Sequence, residues 1–261
     1  MGTPLKSPPV YFTLVQVRFN SILKLAEYLP SVQDEMRKSG FPDFVTRKEM
    51  VLQLTQQDGQ TIPTPMTTER FFFGTADKKH SFALGTDFLS LQSTEYGTYE
   101  EFSAMFLRGL ALVHQIVQLD FTERVGLRYL DHVAPKDHDD LDKYLATEVR
   151  GLSSRLKGKP LHSFTETLHE VGDVQLVSRV VIQDGGLSFP PDVQPGAMEL
   201  NPRFLSYTGR HAVIDTDGSI GGRAVFEADG INKKLNAIHD VISIAFRAVV
   251  TEHAYSVWNE E

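Results

Sequence analysis

The sequence predicts an α+β fold of two similar halves, each running β-α-β-β-β-α, with mostly antiparallel sheets packed by helices. The strand-like segment 12–19 (FTLVQVRF) is echoed by 121–129 (FTERVGLRY), with one residue inserted. Each copy is followed by a helix-like segment, short strand-like runs and a long amphipathic helix. Short turns join most neighbouring runs, which indicates antiparallel pairing. We therefore expect halves at residues 1–118 and 119–261, which can pack as one compact unit.

The first half shows clear strand and helix signals. Residues 10–19 alternate apolar and polar side chains with the period of a half-buried strand. Residues 21–39 are helix-like, and Pro30 is expected to kink this helix or to begin a second piece. Thr98 and Glu101 form a capping-box pattern at the start of a further helix. The other elements of this half are a strand at 50–54, a hairpin at 70–84 with its turn at 76–79, a strand at 87–91 and the helix from 99 to about 117.

The second half starts with a strand at 121–133. Its further predicted elements are a helix from 139 to about 151, strands at 174–182, 204–207 and 212–215, a hairpin turn at Asp217-Gly218 and a closing helix at 231–258. The proline-rich stretch Pro190 to Gly196 is the least regular and is a candidate mobile flap. The first 130 residues can also be interpreted as an elaborated ferredoxin-like βαββαβ unit.

Composition limits the classes of function. The chain has 261 residues and no cysteine, which excludes disulfides, thiolate metal sites and cysteine nucleophiles. The formal net charge of −8 disfavours nucleic acid as a partner, because tight binding to phosphates needs Lys and Arg. No secretion signal and no membrane-length apolar run is found in the sequence, so we expect a cytoplasmic protein with no membrane contact.

Four residues are candidates for a site. Arg18 and Arg128 occupy equivalent places in the repeated strands, so two guanidiniums on one side of a sheet could clamp one anion. Alternatively, each arginine could pair with a local carboxylate and stabilise its own half. His132 and His239 are the acid/base candidates if the protein is an enzyme. No catalytic, cofactor or metal motif is recognised, and we therefore predict no cofactor and no metal.

Several weaker patterns have simpler explanations. The acidic and histidine residues of 131–142 are better explained as a polar loop and a helix start than as a metal site. Residues 215–218 resemble part of a calcium loop but are typical of a turn, and the glycine-rich 218–223 is typical of a hairpin or bulge. His114 and His253 are expected on the buried side or edge of helices.

Four features spread over nearly the whole chain occur together: Pro8-Pro9 followed by Val17-Arg18-Phe19, the strand 125–130 (VGLRYL), Tyr96-x-x-Tyr99-Glu100-x-Phe102 before a helix, and a terminal His239…Phe246…Thr251…Trp258 helix. In these features the chain resembles a sporadically distributed bacterial family of uncharacterised proteins of similar length. Leu130-Asp131 departs from the Ile/Leu-Asn pair usual there. The resemblance implies no activity and no functional residues, and the patchy distribution hints at defence-associated gene neighbourhoods.

Three functional hypotheses follow. The first is a non-catalytic binding or accessory protein that acts through a groove between its halves or with a protein partner or small ligand, and a homo-oligomer is compatible with it. The second is an enzyme acting on a phosphorylated small molecule or nucleotide. The third is an RNA-binding module built on ferredoxin-like units, which the net charge disfavours.

Overall fold

The chain folds around one nine-stranded antiparallel sheet. The computed structural model describes residues 5–57, 60–136 and 139–260, with the side chains of 49–57, 60–67 and 153–154 left aside. The strands are β1 (Val10–Phe19), β2 (Asp43–Gln57), β3 (Gln60–Gly74), β4 (His80–Leu84), β5 (Phe88–Ser93), β6 (Phe121–Val133), β7 (His162–Val171), β8 (Val174–Asp184) and β9 (Arg210–Val225). The helices are α1 (Leu25–Lys38), α2 (Tyr99–Val117), α3 (Pro202–Leu205), α4 (Ala228–Val249) and α5 (Glu252–Asn259).

The strand order is β2-β3-β4-β5-β1-β6-β9-β8-β7. The prediction of an α+β fold with antiparallel strands packed by helices is confirmed, but the strands form a single sheet. Strands β1 and β6, which open the two predicted halves, are hydrogen-bonded neighbours. Four strands, β2 to β5, follow α1, which agrees with the individual strand predictions at 50–54, 70–84 and 87–91 and is one strand more than the β-α-β-β-β-α pattern. Strands β2 and β3 form a long two-stranded hairpin.

The closing helix and the predicted helix at 139–151 are interrupted for a shared reason. Val250 has an extended backbone and pairs with Leu145 in an isolated antiparallel bridge. That bridge ends α4, and the Thr251 hydroxyl then caps α5 by accepting from the Ala254 amide. On the other side of the bridge, the chain forms only three short 3₁₀ turns, Leu141–Lys143, Thr147–Val149 and Gly151–Ser154. The predicted continuous helices were wrong here.

Two other predictions in the second half were also wrong. Residues 204–207 are not a strand, since Asn201 caps the short helix α3 there. Asp217-Gly218 is not a turn but the middle of the continuous strand β9. A Cβ on Gly218 would lie 2.6 Å from the Ile238 Cγ2 atom, so this glycine allows α4 to pack close to the sheet.

The main hydrophobic core lies between one side of the sheet and helices α1, α2 and α4. Val15, Val17 and Phe19 of β1 point into it, as their alternation predicts. The capping box of Thr98 and Glu101 is present at the start of α2. Helix α1 is continuous through its internal proline. None of the helices in the described part of the chain has the length and apolar character needed to cross a membrane.

Candidate functional site

The sheet has two unlike faces. The helix face carries α1, α2 and α4, and the opposite face, called the open face below, carries the other set of alternating side chains. On β1 the open face bears Leu14, Gln16 and Arg18, because successive side chains of a strand point to opposite sides. The register places Arg124 and Arg128 of β6 on the same face, since Arg124 lies opposite Arg18 and Arg128 opposite Leu14.

A segment of irregular chain, residues 187–205, covers part of the open face and is called the cover segment below. Its apolar side chains pack on β1, β6 and β9 in a small separate cluster. The Tyr11 hydroxyl donates to the Ser188 carbonyl oxygen at 2.8 Å, and the Phe189 ring lies edge-on to Tyr11 and Phe12. The Thr94 hydroxyl donates to the Glu199 carbonyl oxygen at 2.6 Å. The stretch Pro190 to Gly196, considered as a flap, therefore lies within a segment attached at both ends.

Arg18 and Arg128 are too far apart to bind one small anion together. They lie on the same face of neighbouring strands, but four residues apart along the strand direction, which corresponds to about 13 Å. The Arg18 guanidinium donates to Asp87 and its side chain is 50% exposed. The Arg128 guanidinium is buried, and both of its edges are occupied by carboxylates of the chain.

Arg128 belongs to a chain of alternating charges that crosses four strands and ends, at Asp192, in the cover segment. Its Nε and Nη2 atoms each donate to an Asp215 carboxylate oxygen at 2.7 Å. Nη1 donates at 2.6 Å to Asp192 of the cover segment. Asp215 also accepts from Arg179 of β8 at 3.2 Å, and Arg179 donates to Glu166 of β7 at 2.5 Å.

The two carboxylates determine the ionisation of Arg128. Burial disfavours its charge, but the hydrogen bonds that Arg128 donates to Asp215 and Asp192 outweigh burial and raise the pKa of Arg128 above its ordinary value. The bond to Arg128 in turn lowers the pKa of Asp192. Arg128 therefore attaches the cover segment to the sheet through Asp192. Its pairing with carboxylates of the chain is the alternative that the sequence analysis set beside an anion clamp.

The two candidate histidines lie on opposite faces. His132 is on the open face beneath α3, with its ring 4.8 Å from the His211 ring and 6.1 Å from the Phe204 ring. Burial, and then the nearby His211, lower the pKa of His132 to about 4, so it is neutral at physiological pH. His239 of α4 stacks on Tyr99 at 3.9 Å on the helix face, where burial lowers its pKa. Neither histidine is beside Arg18.

The remaining sequence patterns do not converge either. Of the acidic and histidine stretch, Asp137 and His138 lie outside the described residues. Asp139 accepts from Lys143, His253 and Tyr144, and the bond from Lys143 is the main cause of its lowered pKa. Within the described residues no three His, Asp or Glu side chains are placed to hold a metal ion. The glycine-rich 218–223 is part of β9.

Sequence reasoning missed a row of arginines across the open face, called the arginine row below. It consists of Arg47, Arg70, Arg18 and Arg124. Arg47 is directly opposite Arg70, and Arg18 is directly opposite Arg124. Phe88 lies between the two pairs, opposite Arg18 in the register of β5 and β1. From β2 to β6 the row crosses five strand spacings, or about 24 Å.

Aromatic rings and glycines form the floor of the arginine row. The Arg47 and Arg70 guanidinium carbons each lie 5.4 Å from a ring centroid, that of Phe72 and that of Phe88 respectively. A Cβ on Gly85 would lie 2.3 Å from Phe88, so this glycine leaves space for the ring. A Cβ on Gly126 would lie 3.0 Å from the Arg124 guanidinium, which therefore rests on the bare backbone of β6.

Part of the arginine row is accessible to a ligand. The Arg18 and Arg124 side chains are 50% and 37% exposed. Each has a carboxylate nearby: Asp87 contacts Arg18, and Asp217 lies 3.8 Å from Arg124. Burial raises the pKa of Asp217 above its ordinary value. A signal for the row exists in the sequence, since Arg18, Arg70 and Arg124 all lie on predicted strands, but the strand order is needed to align them.

In comparisons with known proteins, no family model and no curated protein matches the chain. The geometry of the chain itself therefore carries the functional proposal.

Proposed function

We propose that the protein is a non-catalytic binding protein and that the arginine row is its ligand-binding surface. The observation that carries the proposal is that four arginines take aligned positions in the sheet register, on one face of the sheet. Arginine binds carboxylates and phosphates through paired N–H donors, and exposed arginine on a sheet is well suited to an anionic partner. The separation of Arg18, Arg128, His132 and His239 favours binding over catalysis.

The ligand is expected to be extended and to carry several charges. A single phosphate or carboxylate spans only one arginine pair, whereas the row is about 24 Å long. The row runs across the strands and over the β1–β6 junction, so such a ligand contacts both predicted halves. Under this proposal, the arginine row takes the place of the groove between halves in the first sequence hypothesis.

We also propose that the two halves are copies of one strand order. In support, each half starts at the centre of the sheet and returns towards it from the edge, ending in β5 beside β1 and in β9 beside β6. Arg18 and Arg128 are related by a local two-fold axis near the Gln16–Gly126 pair. Under this proposal they have diverged, one towards an exposed surface and one towards a buried attachment.

A single-stranded RNA is the second, more specific candidate. It is favoured by the Phe72 and Phe88 rings next to the Arg47 and Arg70 guanidiniums, because single-stranded nucleic acids bind to basic surfaces that offer aromatic rings for stacking. The overall charge of −8 opposes it, but the arginine row concentrates positive charge locally.

Fluorescence anisotropy with two labelled probes tests the arginine row as a binding surface and single-stranded RNA as its ligand. One probe is a 12-nucleotide oligouridylate and the other is an oligoglutamate peptide. The double variant R18Q/R124Q is expected to weaken binding of the preferred probe at least tenfold. The matched control is R37Q on α1, because Arg37 is 52% exposed and paired with Asp34, much as Arg18 is paired with Asp87.

The salt dependence separates a polynucleotide from other anions. Four phosphate contacts on a single strand correspond to a slope of log K against log salt of about −2.8, and removal of two should reduce it to about −1.4. Binding of oligoglutamate alone would reject RNA while supporting the surface. The proposed surface is wrong if neither probe binds at low salt, or if R18Q/R124Q and R37Q bind alike.

A further inference from the structure

The free edge of strand β7 is unusually apolar. Among the described residues, twelve large hydrophobic side chains are exposed, and six of these lie in β7 or in the preceding segment 152–161, whose 3₁₀ turn contacts β7. They are Leu152 (70%), Leu156 (67%), Leu161 (73%), Phe164 (55%), Leu168 (69%) and Val171 (46%). An exposed apolar edge strand favours pairing with another strand, because its outward N–H and C=O groups have no partner strand.

The sequence of β7 is complementary to itself. If two copies pair antiparallel with Glu166 opposite its own equivalent, Phe164 is opposite Leu168 and Leu161 is opposite Val171. In the same register His162 is opposite Glu170, and Thr165 is opposite Thr167. Apolar, oppositely charged and Thr–Thr cross-strand pairs all stabilise neighbouring strands.

The Glu166 pair on the symmetry axis is compatible with this register. Each Glu166 accepts from Arg179 of its own β8 at 2.5 Å, and this ion pair reduces the repulsion between the two carboxylates where they meet. A shift of the register by two residues is less favourable. In one direction it places Phe164 opposite Glu170, and in the other it places Phe164 opposite Glu166.

We propose that the protein forms a symmetric dimer by antiparallel pairing of β7 with β7 of a second copy, in the register centred on Glu166. The nine-stranded sheet of each copy then continues into that of the other. A two-fold axis perpendicular to the sheet makes the interface isologous, and it leaves the open faces of both copies on the same side. At each end of the strand pair, Leu161 of one copy lies opposite Val171 of the other.

Cysteine cross-linking tests the register, and the absence of native cysteine makes an introduced thiol unique. Glu166→Cys places two thiols opposite each other, at a Cα separation of about 5 Å that a disulfide spans. The matched control is Glu170→Cys on the same face of the same strand. Its two copies would be eight residues apart along the strand, or about 26 Å. With oxidised glutathione, E166C is expected to form covalent dimer at least tenfold faster than E170C.

Sedimentation equilibrium tests the assembly itself. The wild-type chain is expected at twice its 29.3 kDa mass at micromolar concentration. Leu168→Lys should raise the dimer dissociation constant at least tenfold, whereas Ile244→Lys on the exposed side of α4 should leave it unchanged. The proposal fails if the wild-type chain stays monomeric at 200 µM, if E170C cross-links as fast as E166C, or if I244K and L168K act alike.

Discussion

Glutamine substitutions at Arg128 and Arg18 should have different effects on stability, although the two arginines occupy equivalent places in the predicted repeat. The Arg128 and Asp215 side chains are 7% and 2% exposed, so R128Q leaves a buried carboxylate with reduced compensation. Breaking a buried ion pair by removing one partner costs about 3–5 kcal/mol. Arg179 still bonds to Asp215, so we expect the lower end, a loss of about 3 kcal/mol in the free energy of unfolding.

The exposed pair should behave differently. Arg18 and Asp87 are 50% and 34% exposed, and ion pairs screened by water contribute about 0–1 kcal/mol. We therefore expect R128Q to lower the urea midpoint several-fold more than R18Q does, each relative to the wild type, as measured by circular dichroism.

A double-mutant cycle identifies the cause. The R128Q/D215N variant removes both charges of the pair, so it should lose clearly less than the sum of the two single losses, as contacting charges do. If R128Q destabilises by under about 1 kcal/mol, or if the two losses add, the charged chain does not stabilise the cover segment as described.

Three further substitutions test the packing and the ionisation of the fold. Gly109→Ala normally stabilises a helix by about 1 kcal/mol, but its Cβ would lie 2.3 Å from Phe82, so we expect a net loss of about 1–3 kcal/mol in thermal or urea unfolding. Thr98→Ala removes the cap of α2 and should cost about 1 kcal/mol, while Glu101→Gln, which keeps an acceptor, should cost less. Burial, and then a nearby carboxylate, raise the pKa of Asp131 to about 8, so the folded state binds a proton that the unfolded state releases near its ordinary value of 3.8. Stability from this group is therefore complete below pH 4 and declines as the pH rises to about 8, at up to about 1.4 kcal/mol per pH unit, and Asp131→Asn should remove that decline from unfolding curves measured between pH 5 and 9. An identical pH dependence in wild type and D131N would contradict the assignment.

Local signals were sufficient for several elements. The alternation of 10–19 and 121–133 predicts β1 and β6 with little or no error, and the capping box predicts the start of α2. These patterns are read from neighbours within a few residues, where periodicity and capping act. The same local signals suggested one closing helix, and they could not reveal that Val250 pairs with a residue more than a hundred positions away.

The candidate site depends more than the individual strands and helices do on contacts between residues that are far apart in the sequence. The predicted repeat suggested that Arg18 and Arg128 are equivalent. Strand adjacency places them on one face, but not within reach of one anion. Arg128 is buried because Asp215 and Asp192 approach it from β9 and the cover segment, and neither is near it in the sequence. Glycines were misread in the same way: Gly218 suggested a turn, whereas its purpose is the close approach of α4.

The sequence by itself determined the fold class and the alternation that separates a helix face from an open face, but it did not predict strand β7 at 162–171. Only the tertiary structure decided the strand order, and with it which arginines align and which are enclosed. The physical reason is that alternation specifies which face a side chain takes, whereas its neighbours across the sheet depend on loop paths and on the packing of helices over the core.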